Sequence, residues 1–211
     1  DVEEKYSGRQ TGFDRGNGTL YLYFKEATAI EAGKPYLVKW NSASLITSSD
    51  DWNTFASNVN NGTESYEGKV VKLNSDIDIS TAVGTEAHPF KGIFDGAGHT
   101  LNVTLDDNNF GTAPFRYISG ATIANVKTTG TVKGNKHSTG LVGYAWSGTN
   151  TIKNCHVAVD VTASDKYVGG ILGHGLSSIT SVTDCLFTGR LSGTSGPYIG
   201  VFDAWNDEGT H

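Results

Sequence analysis

The chain has 211 residues, and its 16 basic and 22 acidic residues leave a formal net charge of −6. This length suits one large domain with a smaller N-terminal piece. No basic run exceeds two residues, which argues against a nucleic-acid partner. No apolar run approaches the roughly 18 residues of a membrane-spanning helix, so we predict no membrane insertion. Because the sequence starts at Asp1 and contains no Met, we expect a mature or excised part of a longer polypeptide.

Residues 1–47 are predicted to form a small β segment outside the repeats described below. Residues 20–24 (LYLYF) follow the turn-forming residues 14–18, and residues 36–40 (YLVKW) form a second candidate strand. Two or three strands are too few for an independent core. The segment is therefore expected to end a preceding module or to pack on the domain that follows.

A helix is predicted over about residues 49–60. Ser48 offers an N-cap hydroxyl, and Asp50 and Asp51 place acids in the first turn. Four apolar residues then follow helical spacing: Trp52, Phe55, Ala56 and Val59. A stack of β-coils exposes an open edge and core at its end. We expect this helix to cap that end, with Trp52 and Phe55 largely buried.

Alternating apolar residues then indicate strands over residues 69–73, 75–80 and 88–105, with Ile77 and Ile79 pointing inward and Asp76 and Asp78 outward.

The rest of the sequence repeats about every 30 residues. Gly140-Leu141-Val142-Gly143, Gly170-Ile171-Leu172-Gly173 and Gly200-Val201-Phe202-Asp203 recur at steps of 30. A second column, Val126, Cys155 and Cys185, advances by 29 and then 30 residues. Two columns with one period indicate stacked structural units. We predict an all-β parallel solenoid from residue 48 to 211, with three strands per coil, about five coils and an incomplete last coil over 198–211.

The two cysteines fall in one slot of successive coils, which brings them within disulfide range. Because Val126 occupies the same column, we favour an inward ladder of free thiols over a disulfide. Asn125, Asn154 and Asp184 form a neighbouring column, interpreted as a ladder of hydrogen-bonded corner residues.

Several ordered motifs resemble GLUG-motif modules of bacterial cell-surface proteins. Residues 51–55 (DWNTF), 73–79 (LNSDIDI) and 90–99 (FKGIFDGAGH) are similar to the opening of such modules. Residues 140–144 (GLVGY) and 170–173 (GILG) match the repeat itself. The resemblance implies a right-handed parallel β-helix of the pectin-lyase-like class, placement in adhesin-like surface proteins and no catalytic residues. Arg116 and Asp203 depart from it, since each replaces an expected glycine.

Exposed aromatic residues are the candidates for ligand contact, because sugar rings stack on the faces of Trp and Tyr. Four residues follow the corner glycines of successive coils, and we predict that they form a stripe: Tyr144, Trp146, His174 and Trp205. The alternative is that they pack loops onto the coils.

A β-helical enzyme that cleaves polysaccharides is the alternative function. Gly173-His174-Gly175 matches a short motif of polygalacturonases, where the histidine lies beside paired aspartates. That chemistry needs converging carboxylates, and the same column one coil earlier supplies Gly143-Tyr144-Ala145. We therefore predict a non-catalytic module without metal or cofactor, and keep a lyase or glycoside hydrolase using His174 as the alternative.

The predicted role is that of an extracellular adhesion, stalk or ligand-binding module at a bacterial cell surface, with a host or microbial glycan or glycoprotein as the partner. The unfinished coil at 198–211 would leave apolar side chains and backbone groups at an open edge. We expect either a continuing polypeptide or self-association through that edge.

Overall fold

The computed structural model describes residues 12–14, 19–21, 43–176, 178–193, 198–204 and 206–207. The chain divides into two compact units, residues 1–40 and 41–211. In the first unit, β1 (Gly12–Asp14) pairs antiparallel with β2 (Thr19–Tyr21). These strands flank the predicted turn, and β2 overlaps the start of the strand predicted at 20–24. The strand predicted at 36–40 lies outside the described residues.

The second unit begins earlier than the sequence suggested. Strand β3 (Ser44–Ile46) pairs in parallel with β4 (Val70–Leu73), with Ile46 opposite Leu73. Ile46 is buried in the same core as Leu73. Because it extends a solenoid sheet, this strand belongs with the coils, whereas the predicted boundary after residue 47 would separate it from them.

Helix α1 (Ser49–Asn60) has the predicted bounds. The Asp51 N–H donates to Ser48 Oγ at 3.2 Å, and the Thr47 N–H and hydroxyl donate to Asp51 Oδ2 at 2.9 and 2.6 Å. These bonds satisfy amides that an uncapped helix leaves unpaired. The apolar face of the helix is buried, as predicted. It consists of Trp52, Phe55, Ala56 and Val59.

The second unit is a parallel β-solenoid of about five coils, which confirms the predicted fold class. Four columns of strands run along it. Sheet 1 contains β3, β4, β6 (Ile93–Asp95), β9 (Thr122–Ala124), the second half of β12 (Val142–Lys153) and β16 (Ser178–Thr183). Sheet 2 contains β5 (Ile77–Ile79), β7 (Thr100–Asp106), β10 (Lys127–Gly134), β13 (His156–Ala163), β17 (Leu186–Phe187) and β18 (Leu191–Gly193). Sheet 3 contains β11 (Ser138–Thr139), β14 (Val168–Gly169) and β19 (Ile199–Gly200). Sheet 4 contains β8 (Phe115–Ser119), the first half of β12, β15 (Leu172–Leu176) and β20 (Asn206–Asp207).

The strand register reproduces the sequence period. Val132 pairs with Val161, and Val161 pairs with Leu191. Alternate residues of each strand point inward, so the two faces of a strand differ in polarity. The resulting core is continuous from the helix into the coils. Its largest fully buried side chains include Trp52, Leu73, Phe90, Phe94, Leu101, Phe115, Ile118, Ile123, Leu141, Ile152 and Ile171.

Two details of the coils differ from the predicted pattern. The two-residue strands of sheet 3 add a fourth, short side, because residues before them adopt positive φ, such as His137 at 57° and Tyr167 at 66°. The last coil also contributes β19 and β20, which pair with the coil before it. Among the described residues, the structure contains no helix long and apolar enough to span a bilayer.

Candidate functional site

Sheet 4 lines up three rings on successive coils. Its register pairs Tyr144 of β12 with Tyr117 of β8 on one side and with His174 of β15 on the other. The Tyr117 and Tyr144 rings are stacked, with centroids 4.6 Å apart and planes 8° from parallel. Trp146 stands across both of them, 5.7 Å from Tyr117 at 73° and 6.2 Å from Tyr144 at 79°. Strand spacing therefore produces a stacked pair with a perpendicular third ring.

A second column of rings precedes the strands of sheet 3. His137, Tyr167 and Tyr198 each come directly before one of these strands. The centroids of His137 and Tyr167 are 4.7 Å apart, and those of Tyr167 and Tyr198 are 5.2 Å apart, both pairs nearly parallel. His137 also stacks on His174, at 4.6 Å, and joins the two columns. We call the resulting set the aromatic surface: Tyr117, His137, Tyr144, Trp146, Tyr167, His174 and Tyr198.

The rings of the aromatic surface differ in how far solvent reaches them. Tyr144 is only 7% exposed and His137 only 4%. Tyr117, Trp146 and His174 are half-buried, while Tyr198 is 54% exposed. Tyr144 and His137 therefore pack beneath the more exposed rings. A ligand would contact Tyr117, Trp146, His174 and Tyr198.

The structure brings three of the four predicted stripe residues together: Tyr144, Trp146 and His174. Trp205 lies outside the described residues. Tyr144 is buried against its neighbours, while Trp146 is half-buried. Sequence reasoning missed Tyr117, His137, Tyr167 and Tyr198. The signal for the last three was present, because they recur at the repeat period.

Charged groups surround the two tyrosines. Arg116 forms an ion pair with Asp107, whose carboxylate also accepts a 2.6 Å hydrogen bond from the Thr112 hydroxyl. Burial acts to raise the pKa of Asp107, but these hydrogen bonds and the charge of Arg116 outweigh it and lower the pKa. Burial, with the nearby charge of Glu86, raises the pKa of Tyr117. The tyrosine is thus a neutral hydrogen-bonding group at neutral pH.

The two imidazoles lie in a largely apolar setting. Burial lowers the pKa of His137 to about 4, and the neighbouring His174 and Lys136 act in the same direction. His137 Nδ1 lies 3.3 Å from the Gly173 carbonyl oxygen. His137 is consequently neutral at pH 7 and contributes an uncharged ring to the stack.

A polar groove of about 590 Å³ follows the corner between sheets 1 and 2. Along it, Asn154 Nδ2 donates to Asn125 Oδ1 at 2.8 Å, and Asn125 Nδ2 donates to Asp95 Oδ1 at 2.9 Å. Asn125 and Asn154 both adopt positive φ, a conformation that Asn tolerates better than most residues. The predicted corner ladder thus includes both asparagines, and its polar groups are used mainly to join coils.

Within the part of the chain that the structure describes, no three His, Cys, Asp or Glu side chains are grouped to hold a metal ion. The absence of a cofactor and of catalysis remain predictions.

Comparison with protein-family models, with curated proteins and with solved structures finds no match for this chain.

Proposed function

We propose that the chain is a non-catalytic, extracellular module of a larger surface protein and that its aromatic surface binds a glycan. The observation that carries the proposal is the placement of Trp146 across the stacked Tyr117 and Tyr144 rings. The half-buried rings of Tyr117 and Trp146, at 73° to each other, form a corner with apolar walls. The C–H faces of sugars pack against such walls.

Polar groups beside the corner supply what a sugar also needs. Glu86 is an acceptor and the Tyr117 hydroxyl is both a donor and an acceptor, whereas Arg116 is already paired with Asp107. Arg116 and Glu86 lie close enough to affect the pKa of Tyr117. A ligand with alternating C–H faces and hydroxyl edges suits this combination better than a purely apolar ligand.

A stalk or adhesion role is proposed for the solenoid as a whole. Each coil bonds to the next through continuous parallel ladders, so the coils form a stiff support for the aromatic surface. The resemblance to GLUG-motif modules favours a bacterial cell-surface setting and remains part of this proposal.

A glycan array probed with the purified chain tests the binding proposal. We expect saturable binding to at least one glycan class, weakened about tenfold or more by Trp146→Ala because the perpendicular wall is lost. Leu45→Ala is the control, since Leu45 is an exposed apolar residue on β3 of sheet 1, away from the aromatic surface. Equal binding by both variants and the unchanged chain would contradict the assignment of the site.

The alternative is a polysaccharide lyase or glycoside hydrolase that uses His174. Its support is the Gly173-His174-Gly175 motif and a second imidazole, that of His137, whose ring centroid lies 4.6 Å from that of His174. Incubation with pectin, alginate and glycosaminoglycans distinguishes the two functions. We expect no turnover, and cleavage that disappears in His174→Ala would establish the enzyme instead.

A further inference from the structure

Cys155 and Cys185 lie at the same level of neighbouring coils. They directly precede β13 and β17, whose first residues, His156 and Leu186, are register partners. The Leu186 N–H donates to the Cys155 carbonyl oxygen at 2.9 Å. Neighbouring strands lie about 4.8 Å apart, and disulfides span Cα separations of about 4.4–6.8 Å. The backbone therefore already has a spacing that a disulfide accepts.

The local conformation also repeats from one cysteine to the other. Each follows a corner residue of nearly the same positive φ, 52° at Asn154 and 51° at Asp184. Each sulfur lies close to the carbonyl oxygen two residues earlier, at 3.2 Å for Cys155 and 3.1 Å for Cys185. The two side chains thus leave the backbone in the same way, in the same slot of neighbouring coils. Both cysteines are free thiols.

The two thiols differ in access. Cys155 is buried in the core, whereas Cys185 is half-buried and packs against the core from the last complete coil. The neighbouring Cys155 thiol favours the thiolate form of Cys185 and lowers its pKa. The same interaction and burial raise the pKa of Cys155. Cys185 is consequently the nucleophile of the pair and Cys155 the resolving thiol.

We propose that Cys155 and Cys185 form a reversible thiol–disulfide site, which takes an external disulfide as its oxidant and covalently joins the last complete coil to the coil before it.

The reaction proceeds by two exchanges. The Cys185 thiolate attacks one sulfur of the external disulfide; a mixed disulfide forms, and one thiolate leaves and takes up a proton. The Cys155 thiol then gives its proton to water and attacks the Cys185 sulfur, which releases the second thiolate. Two protein thiols are oxidised and one disulfide is reduced to two thiols, so no further oxidant is needed. Each cysteine side chain has to rotate from its carbonyl contact toward the other for the bond to form.

The bond would restrain the end of the solenoid. Its loop contains one full repeat, and closing it lowers the conformational entropy of the unfolded chain. Strands β17 and β18 pair only with β13 among the described strands, so they form the open edge of sheet 2 and are expected to detach early. The disulfide would slow that detachment.

Equilibration of the chain in glutathione buffers of rising oxidised fraction tests the proposal. We expect both thiols to disappear together, with a mass loss equal to two hydrogens and a Cys155–Cys185 cross-link within one chain by peptide mapping. Dithiothreitol should restore both thiols. The thermal midpoint of the oxidised form should lie several degrees above that of the reduced form.

Single variants separate the two roles. Cys155→Ser should accumulate one glutathionyl group on Cys185, whereas Cys185→Ser should react about tenfold more slowly because its remaining thiol is buried. The proposal is wrong if the unchanged chain keeps both thiols in the most oxidising buffer. It is equally wrong if only intermolecular disulfides form or if both variants react at the same rate.

Discussion

At the residue scale, parallel register makes side chains in one slot meet those of the next coil. Strand spacing is about 4.8 Å, and ring centroids in the aromatic surface are separated by similar distances, 4.6 Å for Tyr117 and Tyr144 and 4.7 Å for His137 and Tyr167. Aromatic residues that the register places in one slot of neighbouring coils are therefore close enough to stack. The stacking in the candidate site follows from this strand register.

One member of the aromatic surface makes stability depend on pH. Because burial lowers the pKa of His137 to about 4 from an ordinary value of 6.5, the unfolded chain binds a proton more readily than the folded one. The neutral ring contributes its full stability above pH 6.5, and this contribution is lost as the pH falls toward 4. We expect the free energy of unfolding to fall by about 2 kcal/mol over that window.

The measurement is urea unfolding at a series of pH values, compared with His137→Asn. Asparagine tolerates the positive φ of this position but does not titrate. The groups around His137 that also carry charge are His174, Lys136 and Asp165, and the variant keeps all of them. If both chains lose the same stability between pH 6.5 and 4, His137 is not the titrating group.

At the element scale, helix α1 closes the start of the core with aromatic rings. Trp52 meets Phe94 and Phe115 edge-on, with centroids 5.9 and 5.7 Å away. Its Nε1–H donates to the Thr81 carbonyl oxygen at 2.8 Å, so the indole is buried without an unpaired donor. The helix thus covers rings from two coils at once.

Trp52→Ala should destabilise the chain by about 3–5 kcal/mol, because it leaves a large cavity between the helix and the coils. Trp52→Phe keeps most of the packing and loses the hydrogen bond to Thr81, so a smaller loss of about 1 kcal/mol or more is expected. Thr54→Ala, on the exposed side of the same helix, is the control. Thermal and chemical unfolding of the three variants measure these differences. An unchanged midpoint for Trp52→Ala would refute the capping role.

Single elements were predictable where one local signal dominated. Helical spacing from Trp52 to Val59 and the Ser48 cap gave both ends of α1. Alternation gave the inward rows of sheet 2, in which Ile77, Ile79 and Leu101 are buried. The two-residue strands of sheet 3 have no such signal, because they depend on positive φ at residues such as His137 and Tyr167. Sequence patterns rarely reveal that conformation outside Gly, Asn and Asp.

At the scale of the whole molecule, the repeat period placed part of the aromatic surface in one column but did not show which side chains remain accessible. The column of Tyr144 and His174 was visible in the sequence, yet the burial of Tyr144 depends on His137 from the neighbouring column. The repeat period is enough to predict a column of stacked rings within one sheet. Whether the column before sheet 3 contacts the column of sheet 4 depends on the angle between those sheets, which the sequence pattern does not give.

The last coil combines an open sheet edge with exposed apolar side chains. Tyr198, Ile199, Val201 and Phe202 are each about half exposed. Strand β19, which contains Ile199, pairs with β14 on one side, and among the described residues no strand covers its other side. Unpaired edges with apolar side chains favour pairing with another chain. We therefore predict that the isolated 211-residue chain self-associates through this coil as its concentration rises.

Light scattering and sedimentation over a concentration series measure that association. Phe202→Glu should shift the chain to monomer, because burying a carboxylate at the contact costs several times more free energy than the lost ring contributes. Phe110→Glu is the matched control, since Phe110 is 54% exposed, compared with 55% for Phe202, but precedes β8 three coils earlier. Association that survives Phe202→Glu, or that Phe110→Glu abolishes equally, would place the contact elsewhere on the molecule. A chain that stays monomeric at millimolar concentration would show that this edge does not pair with itself.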